Sequence, residues 1–165
     1  MPGLDDLYRE IILDHYRSPR NRGELPPPAA HAIGHNPLCG DEIDVYLEVV
    51  DGPDGPVVAD IKVGGQGCSI SQSSASMMSQ AVKGKPVSQV RAMVQRFEEM
   101  LGIRHDDAGD DASTDRAGGT AANVQLGDIE ALQGVAKFPV RIKCATLAWY
   151  TLVDALAMSA DATAG

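Results

Sequence analysis

Leu4, Leu7, Tyr8, Ile11 and Ile12 recur at helical spacing and His15 continues their face, which predicts an amphipathic helix over residues 4–17. "SPRNRGELPPPA" ends it, because Pro19 biases Ser18 away from the helical region. "AHAIGH" reads as a short strand. Alternation against mostly polar neighbours follows: Val45, Leu47 and Val49 in one segment, then Val57, Ala59, Ile61 and Val63 in the next. That period predicts two antiparallel strands joined by a turn at Asp51–Pro56. A sheet with one solvated face needs helices over the other.

Past "GGQGCS" the texture changes. "ISQSSASMMSQAV" places Ile70, Ser74, Met77, Met78 and Ala81 on one side of a predicted helix over residues 70–82. Its serines lower helix propensity, but their small volume suits close packing. A second helix, "PVSQVRAMVQRFEEML", starts after Pro86, a residue suited to a first helical turn. Residues 104–125 are rich in Asp and Gly without an apolar period, and read as a mobile acidic surface insert. "LGDIEALQGV" reads as a short helix followed by a turn at Phe138–Pro139. In "CATLAWYTLVDALAM", Leu147, Tyr150, Val153, Asp154 and Ala157, with Leu152 and Leu156, suggest a broad apolar face. Residues 1–160 are then one domain, and residues 161–165 a fraying tail.

A chain of 165 residues buries enough surface to fold without a metal or disulfide, so a metal site has to be argued from its own ligands. Fourteen Lys and Arg against 23 Asp and Glu give a net charge of −9, which argues against a nucleic-acid partner. The excess is uneven: Arg104–Asp115 holds five aspartates, while the first 22 residues hold four arginines. The amino end lacks a secretory layout and no apolar run is long enough for a membrane span, so the expected compartment is the cytoplasm. An odd count of three cysteines there is no disulfide framework.

Those cysteines carry the candidate chemistry. Cys39 lies in the turn "PLCGD", two residues before Asp41. Cys68 follows Gly64, Gly65 and Gly67 just ahead of a predicted helix, and Cys144 also stands just before one. A helix amino terminus favours a thiolate through unpaired N–H groups and the dipole. If the three thiolates converge, Asp41 supplies a fourth, harder ligand, and an S3O set fits tetrahedral zinc. The usual C-x2-C pairing is absent, so local context leaves both readings open: buried cysteines or ligands. His15 reads as packing, His105 as solvent-facing, and His35 as a reserve ligand near Cys39.

"LYREIILDHYRSPRNRG", "NPLCGDEI", "GQGCSISQSSASMM", "LGDIEALQGV" and "FPVRIKCATLAW" together resemble the SufU-type proteins of iron–sulfur cluster biogenesis, relatives of the IscU/NifU amino-terminal scaffolds. The resemblance spans about residues 4–158 and implies an α+β fold, a small antiparallel sheet packed against helices. It implies zinc ligands at Cys39, Asp41, Cys68 and Cys144, with Cys39 as the sulfur acceptor. The implied partner is a SufS-type pyridoxal-phosphate cysteine desulfurase, with downstream cluster-assembly components beyond it. The function so implied is zinc-dependent sulfur transfer. The alternatives are a scaffold for a [2Fe–2S] cluster on the same ligands and a structural zinc docking domain. Lys143 stands where the scaffold branch usually has histidine, and an insert before "LGDIEALQG" matches the SufU-type branch. Arg141 and Lys143 flank Cys144 with charge that suits thiolate support or docking, or a solvated surface.

Overall fold

The computed structural model describes residues 4–26, 29–36, 40–53, 55–102 and 127–164. Cys39 and the acidic segment at 104–125 lie outside the described residues. The chain order is α1 (Leu4–Arg17), β1 (Ala30–Asn36), β2 (Asp41–Gly52), β3 (Gly55–Gln66), α2 (Ser69–Val82), α3 (Val87–Met100), a 3-10 helix (Gly127–Lys137) and α4 (Pro139–Ala164). The three strands form one antiparallel meander in the order β1-β2-β3. Helices cover its inner face, as the one-sided alternation requires.

β2 keeps the predicted period: Ile43, Val45 and Leu47 point inward and are fully buried. β3 does not keep it throughout. Ile61 and Val63 face the core, but the next buried position is Val58 rather than Ala59. A bulge causes this, since Asp60 pairs with Glu48 while Val58 pairs with Val49, leaving Ala59 as the extra residue.

α2 runs through the middle of the helical layer, with Ser71 to Ser79 all buried. Its serines are tolerated there because their hydroxyls have acceptors: Ser74 Oγ donates to the Ala145 carbonyl at 2.6 Å, and Ser79 Oγ to the Ser76 carbonyl at 2.8 Å. The Trp149 indole N–H donates in turn to Ser74 Oγ at 3.1 Å, while its ring stacks on Phe97 at 4.6 Å. α4 packs on β1, β2 and α2.

Three expectations change. "LGDIEALQGV" is helical, but as a 3-10 helix. α4 begins at Pro139 rather than beyond Cys144 and runs to Ala164. Proline suits that start, because its missing N–H would be unpaired in a first turn anyway. α4's buried stripe is Ala145, Ala148, Trp149, Leu152, Ala155 and Leu156, whereas Tyr150 and Asp154 face outward. Small alanines let the helix lie close to the sheet, which a search for large apolar residues overlooks. Among the described residues no helix is long and apolar enough to cross a membrane.

Candidate metal centre

Asp41, Cys68 and Cys144 offer ligand atoms that all lie within 4.8 Å of one another. Three separate elements deliver them. Asp41 opens β2, paired across the hairpin with Asn36 of β1. Cys68 caps α2: its backbone is extended (φ −73°, ψ 171°) and its sulfur accepts from the Ser71 N–H at 3.5 Å. Cys144 lies in the second turn of α4, which carries it over the β1–β2 end of the sheet. Of the two cysteines expected at helix starts, only Cys68 is at one; Cys144 is inside its helix because α4 starts early.

The donor set fits a cation. Asp41 and Cys144 are both 0% exposed, and Cys68 is partly buried. A buried carboxylate is costly without a compensating charge or several hydrogen bonds. One oxygen of Asp41 accepts the Cys68 N–H at 2.9 Å, and the other lies 3.9 Å from the Cys68 sulfur. One carboxylate oxygen and two sulfurs at this spacing match the ligand types that zinc takes. The same set also suits iron.

The approach to Cys68 is sterically tuned. Gly65 has φ +104°, and a side chain there would strike the Glu42 carbonyl. A side chain at Gly67 would strike Asp41 Oδ1 and lie 2.6 Å from Ser71 Oγ. Both glycines therefore let the loop close down on β2.

The described histidines are elsewhere. His15 is fully buried, with Nδ1 2.7 Å from Ser76 Oγ and Nε2 donating to Asp128 at 3.0 Å, so it is a polar pin rather than simple packing. His35 points off the outer sheet face toward Glu42 at 3.5 Å and is not part of the cluster. His31 stacks on Tyr46 on that same face. His105 lies outside the described residues.

Beside Ser69 and Arg141 a groove of about 650 Å3 opens between α1, the start of α2 and the 3-10 helix. Tyr8, Ile12, Ile70, Val135 and Phe138 make it apolar; Arg9, Lys137 and Arg141 supply its charge, and none of its described lining residues is acidic.

The NifU-like N terminal domain family matches residues 7–145. A zinc-dependent sulfurtransferase SufU from Bacillus subtilis (strain 168) is 45% identical over 155 residues, which is 93% of this chain and 92% of that protein. An iron-sulfur cluster assembly scaffold protein IscU from Streptococcus pyogenes serotype M1 is 37% identical over 159 residues, 96% of this chain and 88% of the relative. The crystal structure of the N-terminal part of a nitrogen-fixing NifU-like protein from Brucella abortus superposes with a TM-score of 0.71 at 26% identity, covering 93% of this chain and 94% of that one. With its α+β fold and its Asp41, Cys68 and Cys144 cluster, this chain belongs to the NifU-like N-terminal domain family of iron–sulfur assembly proteins.

Proposed function

We propose that the protein is a zinc-dependent sulfur carrier that takes persulfide sulfur from a cysteine desulfurase on Cys39 and hands it on for iron–sulfur cluster assembly. The observation that carries this reading is the convergence of Asp41, Cys68 and Cys144. Cys39, two residues before Asp41, is the natural fourth ligand, from the turn between β1 and β2. Zinc in such a site supplies a redox-silent charge that keeps neighbouring thiolates from pairing as a disulfide.

Transfer is thiol exchange. The Cys39 thiolate attacks the terminal sulfur of the desulfurase persulfide; a new S–S bond forms at Cys39, the old one breaks, and the desulfurase cysteine leaves as a thiolate. No external electrons are needed. Asp41, Cys68 and Cys144, carried by β2, α2 and α4, serve as an anchor while Cys39 changes partner. The groove with Arg9, Lys137 and Arg141 beside the centre suits an apolar, acid-bearing face of that desulfurase, in contrast to the net charge of −9 on the whole chain. The expected setting is the reducing cytoplasm.

Zinc chelation, or Cys39→Ala, should abolish stimulation of the desulfurase while leaving that enzyme's basal turnover. Full stimulation by the Cys39→Ala protein sinks the assignment. The second reading, a [2Fe–2S] scaffold, draws support from the 37% identity to a scaffold protein. Lys143, where that branch usually has histidine, favours the zinc reading. Anaerobic isolation with metal analysis separates them: stoichiometric iron with visible absorbance and little zinc selects the scaffold.

A further inference from the structure

After α1 the chain runs back along β3. Arg22 bridges Val63 in parallel fashion, the Gly23 N–H donates to the Val63 carbonyl at 3.1 Å, and the Val63 N–H donates to the Asn21 carbonyl at 2.9 Å. From this fixed position the Arg22 guanidinium uses both arms. Nη2 donates to the Gly65 carbonyl at 2.6 Å, and Nη1 donates to Gln72 Oε1 at 2.8 Å. In sequence these two acceptors bracket Cys68, one in the glycine loop before it and one a helical turn after it.

The Gln72 amide is informative. A guanidinium can only donate, so the amide atom facing Arg22 has to be the oxygen and Nε2 is left as a donor. That nitrogen is buried and has no hydrogen-bond partner among the described residues, in a residue only 8% exposed. Arg22 therefore fixes which way the Gln72 amide faces, one helical turn after Cys68.

We propose that Arg22 and Gln72 are outer-sphere positioning residues of the metal centre. Arg22 ties the Gly65 loop to α2, so that Cys68 is presented toward Asp41 and Cys144 before any metal arrives. Pre-formed geometry of this kind spares the ordering cost of metal binding, and loss of an outer-sphere partner typically weakens metal affinity by about 10–100-fold. The inference rests on the metal-centre reading but not on sulfur transfer.

The test is zinc affinity by chelator competition, with melting temperatures of the apo and zinc-loaded proteins, for Arg22→Met, Arg22→Lys and Gln72→Met. Arg22→Met should bind zinc about 10–100-fold more weakly, with a smaller zinc-induced rise in melting temperature and little change in the apo value. Arg22→Lys should recover only part of the affinity, since one ammonium cannot reproduce the planar fork. Wild-type affinity in Arg22→Met overturns the proposal. So does an affinity loss that merely follows an equal loss of apo stability and is not relieved by lysine. If Arg22→Met does not fold, Gln72→Met carries the same expectation and the same refutation. Failure of the wild-type protein to hold zinc overturns the metal-centre reading and this proposal with it, whereas failure of desulfurase stimulation alone leaves the zinc measurements to decide.

Discussion

The backbone N–H of Cys68 donates to Asp41 Oδ1 at 2.9 Å, while Asp41 Oδ2 faces the Cys68 sulfur at 3.9 Å. The carboxylate thus has one oxygen committed to holding the loop and one directed at the centre. Two candidate ligands 27 residues apart are joined by the protein itself, so part of the site's geometry is set without any ion.

Gly67 is the position at which this relationship can be broken with least change to the chemistry. A methyl group there meets Asp41 Oδ1 and Ser71 Oγ, so either the carboxylate or the loop has to move. Gly67→Ala is expected to lower zinc affinity by about 10–100-fold, the range typical when a ligand's supporting contacts are lost. Isothermal titration against a competing chelator reads this directly; unchanged affinity would show that the loop relaxes at no cost.

His15 joins three elements, reaching Ser76 of α2 and Asp128 of the 3-10 helix from α1. Its Nε2 carries the proton toward the carboxylate, leaving Nδ1 to accept the Ser76 hydroxyl hydrogen in the neutral form. Ser76 Oγ also accepts the Arg20 N–H at 2.8 Å, so the pin extends into the segment that positions Arg22. His15→Ala should cost about 2–4 kcal/mol, combining a cavity with lost buried hydrogen bonds. Asp128→Ala should cost less, about 1–3 kcal/mol, because it removes no buried volume but leaves the buried His15 Nε2–H without its acceptor. Urea unfolding of the two variants side by side checks the order.

Tyr150 donates to Glu98 Oε2 at 2.9 Å. Burial, then the hydrogen bond and charge of Glu98, push its phenol from 10.0 up to about 12. The folded state therefore holds this proton more tightly than the unfolded chain. The associated stability is complete below about pH 10 and is lost as the pH rises toward about 12. A Tyr150→Phe variant should lose that alkaline slope in its melting temperature while changing little in the pH dependence near neutrality. An identical alkaline slope in both proteins would place the titration elsewhere.

Much of the fold was legible locally. α1 and the β2–β3 hairpin follow from 3.6- and 2-residue periods, and α3 from the start signal at Pro86; α2 was legible as a helix but is buried on every side from Ser71 to Ser79. The early start of α4, its alanine-lined buried stripe and the bulge at Ala59 were not legible. Each depends on what packs opposite: Ala145 and Ala148 are buried because the sheet and α2 lie close, not because they are strongly apolar.

The site divides in the same way. Sequence alone marked Cys39, Asp41, Cys68 and Cys144 as candidates, and the glycines before Cys68 as unusual. Spacing could not say whether residues 41, 68 and 144 meet, because ligands on separate elements are brought together by packing rather than by chain proximity. The α+β packing decides it for Asp41, Cys68 and Cys144. It also reveals what no motif announced, the hold of Arg22 on Gly65 and Gln72, because a hydrogen bond between a loop, a helix and a returning segment has no signature along the chain.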